Sequence, residues 1–144
     1  MTSADFRRAQ TILRSFIGKT LSAIECDEFH LELVFEDTSL FGTHSSWRVF
    51  HGDALLFGCG DIGGQVPQDV FGGMIGLKVI STSISNRSDT ELQFEKGYVL
   101  SAIMDTVQYE TWEAHLDVGW VIFANGQITV FPPAPVAPVS TTIT

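Results

Sequence analysis

Basic residues are scarce in this chain. Its 144 residues include 8 Lys and Arg against 17 Asp and Glu, for a formal net charge of −9. Half of the bases fall within the first 19 residues, which leaves four bases and sixteen acids for residues 20–144. Nucleic acids and anionic membranes are bound through Lys and Arg that displace counterions. The charge balance therefore argues against both and favours a basic protein partner.

Cysteine is also scarce, and long apolar runs are missing. Cys26 and Cys59 are far apart and form no Cys-x-x-Cys, so we expect free, buried thiols. No apolar run approaches the roughly 18 residues that a membrane-spanning helix needs. Residues 1–17 lack the continuous apolar stretch of a signal peptide. Together these absences predict a cytoplasmic protein.

Apolar side chains, in contrast, are plentiful. They make up 44% of the chain and include eleven Phe and three Trp. A chain of this length and composition can bury a core of its own, and we expect a single domain over residues 1–131. The prolines of residues 132–144 predict an extended or disordered tail.

An internal repeat organises the domain. Residues 18–62 can be laid over residues 76–131, and two such β-rich units could bury a shared face. The matched positions are Gly18 and Gly76, Phe35 and Phe94, Trp47 and Trp112, and Phe57 and Phe123, which are 58, 59, 65 and 66 residues apart. The growing separation is explained by insertions in loops.

The hydrophobic pattern changes its period after Gly18. Residues 2–17 carry apolar side chains at helical spacing and predict an amphipathic helix that Gly18 ends. The following segments alternate with a period of two, as β-strands do, and Asn125-Gly126 is a strong hairpin signal. We predict a mainly β fold of two pseudo-symmetric antiparallel meanders that form a sandwich or a curved sheet, with the helix packed against it. A two-layer α+β arrangement is the alternative.

The connector between the repeats, residues 58–76, is rich in glycine. It holds seven glycines in 19 residues, together with Pro67, which predicts an irregular loop. Its first residues, Gly58 to Gly63, match G-x-G-x-x-G. That fingerprint needs a helix directly after it and a parallel βαβ unit. Neither is predicted here, so we do not expect a dinucleotide site.

Candidate catalytic and metal-binding residues are few and lack a specific pattern. His44, His51 and Asp53 could offer metal ligands, but His51-Gly52-Asp53 is more simply a hairpin turn. A nucleophile–base pair would be Cys59 with His51, or Cys26 with His30. No motif supports either chemistry, and we predict no cofactor, no metal site and no catalytic residue.

A binding surface is the better supported prediction. Residues 20–47 contain six acids and no base, and Trp and Tyr are prominent in binding hot spots. The predicted site residues are Glu25, Asp27, Glu28, Glu32, Glu36, Asp37, Trp47, Tyr109 and Trp112. The alternatives are a solvated acidic surface and aromatic residues that pack in the core between the two repeats.

One segment of the second repeat resembles a group of small bacterial proteins of unknown function. Those proteins carry a Tyr-Glu-x-Trp signature, here Tyr109 to Trp112, after a Leu-x-Phe-x-x-Gly strand, here Leu92 to Gly97. The resemblance covers residues 76–131 and, more weakly, the first repeat, which keeps Trp47 without Tyr-Glu. It implies a fold and no catalytic residues. In its acidity and β-rich character the chain is also similar to immunity proteins of bacterial toxin systems.

These observations predict a non-enzymatic protein-binding module. An inhibitor that covers the active site of a basic toxin or nuclease is its most concrete form. A small-molecule-binding domain with a pocket between the repeats, gated by residues 58–76, is one alternative. A subunit that self-assembles through open sheet edges, as a homodimer for example, is another.

Overall fold

The structure, a computed structural model, describes residues 3–27, 30–61, 68–85, 89–103, 110–124 and 127–132. Several predicted features lie outside these ranges. They are Glu28, Tyr109, the Asn125-Gly126 turn and the proline-rich tail beyond Pro132.

Within the described residues the chain forms two antiparallel sheets and two α-helices. The helices are α1 (Ser3–Arg14) and α2 (Gln68–Met74), and short 3-10 turns cover Cys59–Asp61 and Glu95–Gly97. The strands are β1 (Leu21–Cys26), β2 (Leu31–Phe35), β3 (Leu40–Thr43), β4 (Ser46–His51), β5 (Ala54–Gly58), β6 (Val79–Ile84), β7 (Thr90–Phe94), β8 (Tyr98–Ile103), β9 (Glu110–Leu116), β10 (Gly119–Ala124) and β11 (Gln127–Phe131). The mainly β fold with an N-terminal helix is confirmed. No described helix has the length and apolar character needed to cross a membrane.

Each sheet draws strands from both halves of the chain. The six-stranded sheet has the order β1-β2-β3-β9-β10-β11, and the five-stranded sheet has the order β5-β4-β8-β7-β6. β3 therefore pairs with β9, and β4 crosses to pair with β8. Neither sheet is built from one half alone, so the two halves depend on each other for their hydrogen-bonded ladders.

The two sheets meet at a junction with reciprocal hydrogen bonds. The Gly18 N–H donates to the Val79 carbonyl, and the Gly76 N–H donates to the Leu21 carbonyl, both at 2.8 Å. A bridge between Thr20 and Lys78 lies at the centre. Gly18 and Gly76 have φ angles of 90° and 91°, a region in which a residue with a Cβ is strained. The 58-residue spacing thus corresponds to equivalent backbone positions at this junction.

Helix α1 closes the core. The helix is shorter than the predicted residues 2–17, and its buried side chains include Ala9 and Leu13. It contacts β10 and β11 of the six-stranded sheet and β6 of the five-stranded sheet. Phe16, in the turn that follows the helix, is also buried, and its ring lies 4.9 Å from the Phe35 ring and 6.2 Å from the Phe41 ring. The alternation of the strands follows from this contact, because every second side chain must face the same core.

Helix α2 corrects the prediction that the whole glycine-rich connector is irregular. Gln68–Met74 is helical despite Gly72 and Gly73, because Phe71 and Met74 are buried and the Phe71 ring lies 6.0 Å from the Trp47 ring. Tertiary burial here outweighs the low helix propensity of glycine. Both sheets are antiparallel, so the dinucleotide fold remains excluded.

Candidate functional site

The outer face of the six-stranded sheet carries a row of glutamates. Because Leu31, Leu33 and Phe35 face the core, Glu32 faces outward. The strand register places Glu25 opposite Glu32, Glu32 opposite Gly42, and Gly42 opposite Glu113. We call Glu25, Glu32 and Glu113 the acidic row. Like charges directly opposite each other destabilise a sheet, so fold stability does not account for this arrangement.

No positive side chain belongs to this sheet. Its six strands contain no Lys or Arg, and their acidic residues are Glu25, Glu32, Glu110 and Glu113. The side chains of Glu32 and Glu113 are 26% and 24% exposed, so their charges are less screened than those of fully solvated groups. The acidic row is therefore a negatively charged part of this face, whereas Arg7 and Arg8 of α1 line a pocket with Phe131 at its β11 edge.

Two histidines and a glutamate converge at one end of the row. Leu31 pairs with Thr43 at the end of the β2–β3 ladder, so the next residues, His30 and His44, lie side by side. Their rings stack with centroids 4.4 Å apart and an angle of 22° between planes. One ligand-type atom from each of His30, His44 and Glu113 lies within 4.8 Å of the other two. We call these three residues the histidine cluster.

Gly42 provides the space in which the cluster assembles. A Cβ at Gly42 would lie 3.1 Å from His30 Nε2 and 3.7 Å from Glu113 Cγ. Glu32 Oε2 is 3.8 Å from the same His30 nitrogen, which is too far for a hydrogen bond. His30 Nε2 is buried and has no hydrogen-bond partner among the described residues. An unpaired buried polar atom costs about 1–3 kcal/mol, so a hydrogen bond or a metal bond to this nitrogen would be stabilising.

A ladder of stacked rings runs beside the acidic row. His115 lies 5.0 Å from Trp120, and Trp120 lies 4.1 Å from Phe131, measured between ring centroids. All three side chains are half-buried on the outer face. His115 Nε2 is 3.2 Å from Glu113 Oε2, so the ladder is tied to the acidic row. We call His115, Trp120 and Phe131 the aromatic ladder.

A groove of about 380 Å³ opens at the other end of this face. It lies between the β2–β3 turn, residues 37–39, and residues 115–117, which are the end of β9 and the start of the turn after it. Partial burial opposes ionisation of Asp37, but hydrogen bonds from Lys19 Nζ and the Ser39 backbone N–H outweigh it and lower the pKa of Asp37 to about 2. Asp37 is thus already paired and contributes less to attracting a partner than the acidic row does.

The predicted acidic residues do not form one patch. Glu25 and Glu32 share the acidic row, whereas Glu36 and Asp37 lie in the β2–β3 turn, and exposed Asp27 follows β1. Glu28 lies outside the described residues.

Two of the three predicted aromatic anchors are buried. Trp47 and Trp112 are only 2% and 0% exposed, so they are core residues and cannot anchor a partner. Each packs against a second aromatic ring, Phe57 and Phe41 respectively. Tyr109 lies outside the described residues. The aromatic rings that reach the outer surface are instead those of the half-buried aromatic ladder.

The three potential metal ligands considered from the sequence are not brought together. His44 follows β3 in the six-stranded sheet, whereas His51 ends β4 in the other sheet, where its Nε2 is 2.9 Å from the Lys96 carbonyl oxygen. Asp53 is exposed in the turn after His51. The structure places His44 beside His30 and Glu113, two residues that the spacing argument did not select.

The nucleophile–base pairs are not supported. Burial, assisted by the nearby Asp27 and Cys59, raises the pKa of the Cys26 thiol to about 11, so it stays protonated at neutral pH. His51 pairs with Ala54 while Gly58 pairs with Arg48, which places His51 and Cys59 at opposite ends of their hairpin. Both thiols are free, as predicted, but only partly buried.

The histidine cluster had only a partial signal in the sequence. Alternation within β2 indicates that His30 and Glu32 share the outer face. The hairpin between β2 and β3 would add His44. The third ligand comes from the pairing of β3 with β9, and no local pattern indicates that pairing.

No family model matches this chain, and no curated protein and no solved structure matches it either. The resemblance to small bacterial proteins therefore stays a prediction, and the residues of the outer face are the basis for assigning a function.

Proposed function

We propose that this chain is a non-enzymatic protein-binding module, and that the outer face of the six-stranded sheet binds a basic protein partner. One observation carries the proposal. An acidic row lies beside a half-buried aromatic ladder on a sheet whose strands contain no Lys or Arg.

The two features supply different parts of binding. The acidic row attracts a cationic partner from a distance and makes association fast and sensitive to salt. The aromatic ladder supplies apolar contact area for the partner. A partner surface that combines basic side chains with apolar groups fits both. A cytoplasmic inhibitor or immunity protein that covers the active site of a basic toxin or nuclease is the most concrete form of the proposal.

The first step of the test is to identify the partner. Tagged protein is recovered from lysate of its own host at low salt, and its complexes are analysed by native mass spectrometry. A stoichiometric basic protein that leaves as salt rises supports the proposal. The absence of any basic protein, with the chain intact and folded, contradicts it.

The second step compares two matched charge reversals. Glu32 and Glu91 are half-buried, lie at corresponding positions on β2 and β7, and face outward on opposite sheets. We expect Glu32→Lys to slow association with the recovered partner by at least about tenfold at low salt. Glu91→Lys should leave the rate within about twofold. Equal effects of the two substitutions would place the interface elsewhere.

A small-molecule-binding function is the second candidate, and the groove between residues 37–39 and 115–117 favours it because segments of both halves line it. In this case native mass spectrometry detects a small bound mass and no protein partner. Asp117→Ala, in the wall of the groove, then releases that mass. None of the described residues of the glycine-rich connector lines this groove, so a gating role for the connector is not part of the proposal.

A further inference from the structure

We propose that the histidine cluster is a binding site for a divalent transition metal of the zinc type. Its ligands are His30, His44 and Glu113, one from each of three adjacent segments of the six-stranded sheet. This inference does not depend on the identity of a protein partner.

The donor set identifies the class of ion. Two imidazole nitrogens and one carboxylate oxygen suit Zn²⁺ and its neighbours, whereas Mg²⁺ and Ca²⁺ take oxygen ligands. Ligand atoms around a tetrahedral zinc lie about 3.4 Å apart, given bond lengths near 2.1 Å. The three donor atoms already lie within 4.8 Å of one another, so small side-chain rotations bring them to coordinating positions. Three protein ligands leave a fourth position open for water, Glu32 or a partner group.

Two observations separate this cluster from a chance contact. His30 Nε2 is buried without a hydrogen-bond partner among the described residues, although it points into a space bordered by Glu32 and Glu113. The space exists because position 42 is glycine. A metal bond would satisfy the nitrogen and offset the repulsion between the neighbouring carboxylates.

The surroundings of the cluster also fit a metal site. His115 Nε2 lies 3.2 Å from Glu113 Oε2. This contact holds the carboxylate in place, as residues that hydrogen-bond to metal ligands commonly do. The corresponding positions of the five-stranded sheet are Asp89, Ile103 and Arg48, a set that cannot coordinate a cation. The ligand set is therefore specific to one of the two sheets.

The test is a calorimetric titration of the metal-free full chain with zinc chloride. Cys26→Ser and Cys59→Ser form the background, so that thiols cannot hold the ion. We expect one zinc per chain with a dissociation constant of about 1 µM or lower. His44→Ala changes an exposed side chain and should leave the fold intact, which circular dichroism checks. We expect it to weaken zinc binding by at least about a hundredfold.

Two further variants sharpen the result. Gly42→Ala keeps all three ligands but places a methyl group 3.1 Å from His30 Nε2, and we expect it to weaken binding by about tenfold or more. His51→Ala removes a histidine of the other sheet and should leave affinity within twofold. Absence of zinc uptake by the serine background overturns the proposal. So does a His44→Ala variant that binds zinc as tightly as that background.

Discussion

The outer faces of the two sheets have residues at corresponding positions but carry different charges. Across the six-stranded sheet the row reads Glu25, Glu32, Gly42 and Glu113. Across the five-stranded sheet it reads Ser83, Glu91, Ser101 and Arg48. The first row has three negative charges, whereas in the second Arg48 balances Glu91. The same backbone ladder forms in both, so the fold does not require the acidic row, and its charge is one of the observations behind the proposed binding function.

The inner faces, in contrast, are alike. Leu33 and Leu92 are buried at corresponding positions, as are Phe35 and Phe94. The two halves thus share the requirements of a core and differ where they meet solvent. Each of the following predictions tests a part of this contrast.

The largest effect should come from the inner face. Trp112→Ala and Trp47→Ala each empty a fully buried site, and we expect each to lower the free energy of unfolding by about 3–5 kcal/mol. Trp120→Ala, on the outer face, should cost much less because Trp120 is only half-buried. Urea denaturation measures all three. A Trp112→Ala cost no larger than that of Trp120→Ala would contradict the division into inner and outer faces.

The turns that follow β2 and β7 each hold a non-glycine residue at positive φ, Thr38 at 71° and Lys96 at 61°. They differ at the position of Thr38, where a positive φ is unfavourable for a β-branched residue and the second turn has Gly97 at 83°. We expect Thr38→Gly to raise the free energy of unfolding by about 1 kcal/mol and Gly97→Thr to lower it by about as much or more. Thermal unfolding of the pair measures this. A loss of stability in Thr38→Gly would show that the Thr38 side chain contributes more than its backbone costs.

The ion pair between Lys19 and Asp37 has no counterpart at the corresponding positions of the second half. Those positions are Leu77 and Lys96, which cannot form an ion pair. The folded-state pKa of Asp37, about 2, lies below the ordinary value, so its stabilising contribution is present above about pH 4 and is lost as pH falls toward 2.

Asp37→Asn measures this contribution. The Asp37 side chain is 44% exposed and therefore screened, so we expect a loss of at most about 1 kcal/mol at pH 7. The difference in urea midpoint between wild type and Asp37→Asn should shrink between pH 4 and pH 2. A difference that stays constant with pH would show that the effect does not come from the ionised carboxylate.

The smallest effect concerns the like charges of the acidic row. Glu25 and Glu32 are direct cross-strand neighbours, and Glu25→Ser copies the other sheet, where Ser83 faces Glu91. We expect Glu25→Ser to raise the free energy of unfolding by about 0.2–1 kcal/mol, and Ser83→Glu to lower it by a similar amount. The two effects should fade at high salt. A destabilised Glu25→Ser variant would remove the argument that this row opposes stability.

The spacing of apolar residues in the sequence predicted those helices and strands in which buried residues recur at a regular interval. The apolar stripe of α1 and the alternation in β2 and β7 are both visible without a structure, and both are confirmed. Helix α2 was missed because its glycines disfavour a helix and its stability comes from burying Phe71 and Met74 against distant strands. Trp47 and Trp112 are core residues, which confirms the alternative interpretation and not that of exposed anchors; local pattern could not choose between the two, since their burial depends on distant parts of the chain.

The sequence by itself determined the acidic balance, the change from helical to strand periodicity, and the sides of β2 and β7 that face the core, because these depend on composition and on neighbouring residues alone. Tertiary structure decided which strands exchange partners between the halves. The pairing of β3 with β9 brings Glu113 beside Gly42 and the two histidines, although some seventy residues of chain separate them. Hydrogen bonding between strands is the same for any outward side chain, so only the global packing of the core could select this register and assemble the candidate site.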